Sequence, residues 1–171
     1  MIILIAGDGH TGKTLLAQKL LERYGFPYLS IDHLKMGLIR SRQTTLTPES
    51  DDEALTGYLW PIVREIIKTG IENKQNLIIE GCYIPFNFRE EFSTEYLNEI
   101  RFVCLIFSER YIEEHFEDIF KYETVIEQRI TTGYRRKGDM KAANTRNLQA
   151  CIARGLDYIL IDRDYEIDYS L

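Results

Sequence analysis

Residues 1–14 read MIILIAGDGHTGKT, an apolar run followed by a glycine-rich loop and a Lys-Thr pair. The loop matches the pattern GxxxxGK(S/T) at Gly7, Gly12, Lys13 and Thr14. The context that this motif needs is present, because the run before it predicts a strand and the segment LLAQKLLERYG after it predicts a helix. Glycines let backbone N–H groups approach phosphate oxygens at a helix start. The stretch therefore predicts a phosphate-binding loop.

Each residue of this loop has an expected role toward ATP. Lys13 is expected to neutralise the β- and γ-phosphates, and the Thr14 hydroxyl to bind Mg2+. The residues between the two motif glycines are expected to line the phosphates, and they are Asp8, Gly9, His10 and Thr11. The His10 side chain could touch a phosphate or point to solvent, and we favour solvent. A merely tight turn would explain the glycines but not the Lys-Thr pair.

Composition places the chain among ordinary soluble globular proteins of one domain. It has 171 residues, 44% hydrophobic and 28% charged, with a net charge of −6. This balance gives no electrostatic footprint for nucleic acid, and no apolar run approaches the roughly 20 residues that span a bilayer. We expect a cytoplasmic protein without nucleic-acid or membrane partners, with reduced cysteines at Cys82, Cys104 and Cys151. The oligomeric state cannot be read from the sequence.

Five short apolar runs rich in β-branched residues predict strands, at 2–6, 28–31, 76–80, 101–107 and 157–162. Since they are continuous rather than alternating, they are typical of strands covered on both faces. Helix-length segments with a period near 3.6 lie between them, including faces marked by Leu55, Leu59 and Val63 and by Leu148, Ile152 and Leu156. Strands alternating with helices predict an α/β fold with a parallel sheet.

Two segments interrupt this alternation as insertions, near 36–56 and 128–145, and both are candidates for mobile flaps. The first contains TPESDDE, which is typical of a helix start with Thr47 as N-cap and Pro48 at the first helical position. The second contains RITTGYRRKGDMK at 129–141, a basic cluster in an acidic chain. Such a cluster favours a local anion site, and the alternative is a solvated helix end.

Other classes of phosphate-binding loop protein fit less well. A regulatory GTPase needs a base-reading NKxD motif at a strand end, whereas NKQN at 73–76 precedes a strand and lacks the Asp. A motor or AAA-type ATPase is usually larger and carries an apolar run that ends in acidic residues, whereas LIIEGCY provides Glu80 alone.

Four stretches together resemble the small P-loop kinases: IAGDGHTGKT, YLSIDHLKMGLIRS, LIIEGCYIP and the Arg-rich segment after the fourth strand. This group includes nucleoside monophosphate, shikimate and gluconate kinases, chloramphenicol phosphotransferase and zeta toxin kinases. The resemblance covers nearly the whole chain and implies a three-layer α/β/α fold with a five-stranded parallel sheet of order 2-3-1-4-5. It also implies a substrate-binding insertion after the second strand and an Arg-bearing lid after the fourth.

Two acids are predicted to face the loop, because the carboxyl ends of parallel strands converge on one crevice. Asp32 closes the second predicted strand, where similar kinases place an Asp that accepts or orients the proton of an acceptor hydroxyl. The alternative is that Asp32 caps the following helix. Glu80 ends the third strand and is expected to act as a metal ligand or second base, or else to cap the next turn. The Pro-Arg that nucleotide kinases carry after this acid is missing from EGCYIP.

Further candidates surround the predicted acceptor and lid. Arg40, with Arg42 as a weaker candidate, could hold an anionic acceptor, and Tyr83, Tyr58 and Trp60 could line its pocket, although Trp60 is typical of core. The resemblance implies that Arg129 and Arg135 or Arg136 stack on adenine and span the β- and γ-phosphates.

The sequence thus predicts an ATP- and Mg2+-dependent kinase with a small-molecule acceptor, most simply a hydroxyl compound. The alternatives are a nucleoside monophosphate kinase, a toxin-type nucleotide-sugar kinase and a non-catalytic ATP-binding regulator. The acceptor itself depends on loops without a fixed pattern.

Overall fold

The computed structural model describes residues 1–121 and 136–171. Within them, five parallel strands form one sheet in the order β2-β3-β1-β4-β5, which confirms the predicted α/β topology. The strands are β1 (Ile2–Gly7), β2 (Tyr28–Ser30), β3 (Leu77–Glu80), β4 (Ile100–Phe107) and β5 (Tyr158–Ile161).

Helices cover both faces of this sheet. They are α1 (Lys13–Tyr24), α2 (Ile31–Arg40), α3 (Asp52–Glu72), the single turn α4 (Thr94–Leu97), α5 (Glu109–Lys121) and α6 (Lys137–Arg154), with a 3-10 turn at Phe88–Glu91. No helix of the described residues is both long and apolar enough to cross a membrane.

The central strand β1 shows why continuous apolar runs predicted this fold. All of its residues are buried, because helices pack on both faces of the sheet. Ile3 and Ile5 face α1 in one core cluster, and Ile2 and Leu4 face the larger cluster that contains α3. Trp60, on α3, lies in that larger core as its sequence position indicated, and its indole N–H donates to Glu91 at 2.8 Å.

The observed strands differ from the predicted ranges by one residue at one or both ends, and two boundary shifts concern candidate residues or helix starts. The second strand ends at Ser30 rather than at 31, since Ile31 is already the first residue of α2. The helix expected from Thr47 begins at Asp52, because the Asp51 carboxylate accepts from the backbone N–H groups of Glu53 and Ala54. Thr47 instead closes a turn, in which its carbonyl accepts from the Ser50 N–H. Two carboxylate hydrogen bonds thus place the N-cap four residues later than predicted.

The predicted apolar face of the last helix is wrong at one position. Ile152 is 62% exposed, whereas Cys151 is fully buried and Leu148 packs against the large core. The i+4 spacing to Leu156 misleads because the helix ends at Arg154, and Gly155 follows in a left-handed conformation with φ 58°. Cys82, Cys104 and Cys151 form no disulfide bond among the described residues.

The carboxyl ends of the strands meet at one edge of the sheet. Glu80, the last residue of β3, is in register with Ser30 of β2 and with Ile5 of β1. Gly7, the last residue of β1, is in register with Leu105 of β4. This alignment brings the glycine-rich loop, the start of α2 and the end of β3 together.

Candidate active site

The loop between β1 and α1 folds tightly enough to require glycine at two positions. A Cβ on Gly7, which has φ 147°, would lie 2.7 Å from the Leu105 carbonyl oxygen and 2.7 Å from Thr11 Oγ1. A Cβ on Gly12, which has φ 83°, would overlap the Tyr165 hydroxyl. At these two glycines the loop presents only its backbone. It leads directly into the N-terminus of α1, a geometry that suits anions.

Lys13 is held inside this loop as a buried cation. It is 7% exposed, and its Nζ donates to the Asp8 carbonyl at 2.7 Å, while Thr11 Oγ1 donates to the same oxygen at 2.9 Å. Burial by itself lowers the pKa of Lys13, but the charges of Cys82, Glu80 and the neighbouring aspartates outweigh it, so that the pKa lies above its ordinary value. The ammonium therefore stays charged at neutral pH.

Thr14 and Glu80 place a hydroxyl oxygen and a carboxylate oxygen next to each other. Thr14 Oγ1 donates to Glu80 Oε1 at 3.4 Å, and Glu80 is 2% exposed. Hydroxyl and carboxylate oxygens are hard ligands of the type Mg2+ prefers, and Mg2+ in kinases takes few ligands from the protein besides the phosphates. The described residues contain no cluster of three or more His, Cys, Asp or Glu side chains that could hold a metal. The pair thus fits a Mg2+ that is shared with phosphates.

Asp32 lies in the first turn of α2 rather than at the end of β2. Ser30 holds the N-cap position, so the capping interpretation of Asp32 is not supported. Asp32 Oδ1 instead accepts from Lys35 Nζ at 2.6 Å, and Lys35 Nζ also donates to the Tyr83 hydroxyl at 2.9 Å. The Asp32 side chain is 40% exposed and that of Lys35 is 12% exposed. The carboxylate is therefore more accessible to an incoming molecule than the lysine that anchors it.

Burial and charge act against each other in this group. Burial lowers the pKa of Lys35, but its hydrogen bonds to Asp32 and Tyr83 raise it more, and the net pKa is above the ordinary value. Burial raises the pKa of the Tyr83 hydroxyl, and the contact with Lys35 offsets only part of that rise. Lys35 is therefore a fixed cation and Tyr83 a neutral phenol at physiological pH.

Gly81 explains how two distant segments meet at this point. A Cβ at Gly81 would lie 2.8 Å from Cβ of Ile31, so only glycine lets the end of β3 pack against the first residue of α2. The carboxylates of Glu80 and Asp32 both act to raise the pKa of Lys13 against the opposite effect of burial. Tyr83, two residues beyond Gly81, is 6% exposed and closes the base of the site.

Several predicted residues are placed differently. His10 does not point freely to solvent, because it is half-buried and its ring lies 4.9 Å from that of Phe120. Arg40 is exposed in the last turn of α2, about 12 Å along the helix axis from Asp32. Arg42 is exposed as well. Tyr58 donates to the Gln43 carbonyl at 3.0 Å and so pins the 36–56 segment rather than lining the site.

The structure describes only part of the predicted lid. Arg129 and Arg135 lie outside the described residues, and Arg136 is exposed just before α6. Lys137 and Lys141, from the same basic cluster, form ion pairs with Glu113 of α5, which favours the solvated-helix interpretation for these two residues.

Two residues of the site escaped sequence reasoning. Lys35 carried a usable signal, since it lies three residues after Asp32 on a predicted helix, a spacing that forms ion pairs. No sequence signal pointed to Tyr165, because it lies after the last strand in a segment without a motif. Its hydroxyl donates to the Thr11 carbonyl at 3.1 Å.

Solved structures share this fold at low sequence identity. A Chloroflexus aurantiacus protein described provisionally as a kinase is 16% identical, covers 98% of this chain and 91% of its own, and has a TM-score of 0.59. A sugar kinase from a Janibacter species is 15% identical over 94% and 84% of the two chains, with a TM-score of 0.50. A shikimate kinase from Bacteroides thetaiotaomicron is 14% identical over 95% and 86%, also with a TM-score of 0.50.

These similarities confirm the small P-loop kinase fold that the sequence motifs indicated. No protein-family model matches the chain, and no curated protein matches it either.

Proposed function

We propose that this protein is a small-molecule kinase that transfers the γ-phosphate of ATP to an acceptor hydroxyl. The observation that carries the proposal is that the buried Lys13 and the accessible Asp32 follow parallel strands whose carboxyl ends lie at the same edge of the sheet. The phosphate-binding loop by itself would only bind nucleotide. The accessible carboxylate of Asp32 adds a group that can accept the proton of an acceptor hydroxyl. The sugar and shikimate kinases that share the fold support the same class of reaction.

On the donor side, backbone N–H groups of residues 7–14 and the Lys13 ammonium bind the triphosphate. Thr14 and Glu80 would hold Mg2+, which neutralises charge on the phosphates when bound. The Lys13 ammonium now donates to the Asp8 carbonyl, and it can exchange that partner for a phosphate oxygen without a change of charge. Lys13 then opposes the negative charge that develops on the transferring group.

On the acceptor side, Asp32 takes the hydroxyl proton as the acceptor oxygen bonds to the γ-phosphorus. The bond from that phosphorus to the β-phosphate oxygen breaks, and its electron pair leaves with ADP. Lys35 and Tyr83 keep the carboxylate in place because both are fixed by burial and hydrogen bonds. A cytoplasmic location is part of the same proposal, since the donor is ATP.

A nucleoside monophosphate acceptor is less well supported. The position where nucleotide kinases carry Pro-Arg after the strand-end acid holds the exposed Cys82 and the buried Tyr83 here, and neither side chain is a cation for a phosphate. A binding-only regulator would have no need of the exposed oxygen of Asp32.

The test is a transfer assay with γ-labelled ATP, Mg2+ and the purified chain. The acceptors are sugars and polyols, hydroxy acids, nucleoside monophosphates and nucleotide sugars. We expect label on a hydroxyl compound that carries no phosphate. Label on a nucleoside monophosphate or a nucleotide sugar would support the corresponding alternative, and tight ATP binding without any transfer would support the regulator.

A further inference from the structure

We propose that Tyr165, in the segment after β5, is a positioning residue of the phosphate-binding loop. Its hydroxyl donates to the Thr11 carbonyl at 3.1 Å, although the two residues lie 154 positions apart in the chain. The inference rests on the proposed function, because the loop must bind phosphate for its positioning to matter.

The direction of this hydrogen bond sets the direction of an amide. The carbonyl of Thr11 and the N–H of Gly12 belong to one planar trans peptide and point in opposite directions. Because Tyr165 holds the carbonyl on its own side, the Gly12 N–H is aimed at the other side of the loop. Gly12 is the N-cap of α1, where backbone N–H groups have no partner within the helix and are available to an anion.

The same contact accounts for Gly12. A Cβ at this position would lie 1.6 Å from the Tyr165 hydroxyl oxygen, so the tyrosine sits where a side chain would otherwise be. The loop backbone and the Tyr165 ring thus pack directly on each other. The Tyr165 ring also lies 6.3 Å from that of Phe107 at the end of β4, which anchors it to the sheet.

A strap formed by residues 162–171 holds Tyr165 in place. Ile167, Tyr169 and Leu171 pack against the core cluster that contains α1, and the Leu171 N–H donates to the Tyr24 hydroxyl at 3.3 Å. The strap therefore contacts both ends of α1. The helix is about 18 Å long, and six extended residues from Tyr165 to Leu171 cover about 20 Å, so the two lengths match.

The hydroxyl remains a donor under working conditions. Burial raises the pKa of Tyr165 to about 12, so the phenol keeps its proton throughout the physiological range. The contact is therefore constant with pH and acts as a fixed support of the loop.

The test compares Tyr165→Phe with Tyr169→Phe. Both variants remove one hydroxyl from the strap and keep the ring, but Tyr169 lies toward Arg101 and Asp157, at the opposite end of the sheet from the loop. Calorimetry measures the dissociation constants for ATP and for inorganic tripolyphosphate, which probes the loop without a base. Thermal unfolding of each variant shows that it is folded.

We expect Tyr165→Phe to weaken both ligands by about fivefold, the effect of one neutral hydrogen bond, and Tyr169→Phe to leave both unchanged. In kinetics, the KM for ATP rises while the KM for the acceptor stays the same. Wild-type affinity of Tyr165→Phe for tripolyphosphate would overturn the inference, as would a loss restricted to ATP, which would indicate a contact with the base instead.

A measurement on the wild-type chain covers the case in which Tyr165→Phe does not fold. If the strap favours the binding conformation of the loop, then binding must stabilise the strap by the same free energy. Tripolyphosphate should therefore slow amide hydrogen exchange in residues 162–168, and unchanged exchange there would contradict the inference. If the wild-type chain binds neither ATP nor tripolyphosphate, the proposed function is wrong, and the role of Tyr165 that rests on it is wrong as well.

Discussion

The proposed donor side and the proposed acceptor side of this site are built in opposite ways. The phosphate-binding loop is one continuous stretch, residues 7–14, and it acts mainly through its backbone. The acceptor side consists of side chains from two separate segments, Asp32 and Lys35 on α2 and Tyr83 after β3. The loop depends mainly on a local backbone conformation, whereas the side chains of the acceptor side depend on the tertiary structure that brings two segments together.

This difference has a consequence for how the site tolerates change. A backbone cradle offers the same N–H groups to any triphosphate, so it defines the donor but carries no information about the acceptor. Side chains held by packing can be exchanged one at a time, and in the proposed reaction they would select the acceptor. Variants on the two sides should therefore separate donor binding from transfer.

The largest effect is expected from Lys13→Ala. Loss of the one buried cation that faces the transferring phosphate among the described residues should lower phosphoryl transfer by at least about 10³-fold. Lys19→Ala, on the exposed face of the same helix, is the matched control and should have wild-type activity. Unchanged transfer in Lys13→Ala, measured with labelled ATP, would remove the loop from the reaction.

Asp32→Asn should lower kcat by about 10²- to 10³-fold, because the amide cannot accept the hydroxyl proton. The dissociation constant for ATP should stay within about twofold of wild type, since the donor side is intact. Asp52→Asn, exposed in the first turn of α3, controls for the loss of one negative charge. A full-rate Asp32→Asn enzyme would show that the two sides are not divided as described.

Glu80→Gln should raise the Mg2+ concentration for half-maximal activity by about tenfold or more, because a carboxylate oxygen near Thr14 is replaced by a weaker ligand. A titration of activity with Mg2+ at saturating ATP measures this shift. An unchanged Mg2+ requirement would assign Glu80 a structural role as the acceptor for the Thr14 hydroxyl.

Among the variants of the proposed donor and acceptor residues, the smallest effect is expected from Lys35→Met, which should lower kcat about tenfold by freeing the Asp32 carboxylate while the KM for ATP stays constant. Lys68→Met is a close control, because it breaks an ion pair of the same i,i+3 spacing, with Glu65 on α3. If Lys35→Met raises the acceptor KM and leaves kcat unchanged, Lys35 contacts the acceptor rather than positioning Asp32.

Much of the fold could be predicted because its signals are local. Strands β1, β3 and β4 are largely buried apolar runs, the edge strands β2 and β5 are less buried, and the GxxxxGKT loop lies between a strand and a helix as the motif requires. One error fell at a helix start. The sequence predicted Thr47 as the N-cap, whereas the hydrogen bonds of the Asp51 carboxylate place the N-cap at Asp51.

The site was predicted less completely for a physical reason. Asp32 and Glu80 could be placed near the loop because they follow neighbouring parallel strands. The hydrogen bonds that Lys35 makes with Asp32 and Tyr83 could not be predicted, because they form only when α2 packs against β3. Arg40 has a charge that would suit an anionic acceptor, but it lies in the last turn of α2, at the opposite end of that helix from Asp32. Arg129 and Arg135 stay predictions.

The sequence by itself predicted the phosphate-binding loop, because eight consecutive residues contain the whole GxxxxGKT motif. Only the tertiary structure decided its surroundings. Gly81 allows Ile31 to pack close to β3, and this packing brings Asp32 and Tyr83 to a common lysine. The strap after β5 brings Tyr165 onto Thr11 across nearly the whole chain. Contacts of this range leave no periodic or local pattern, since they are fixed by packing rather than by neighbours in the chain.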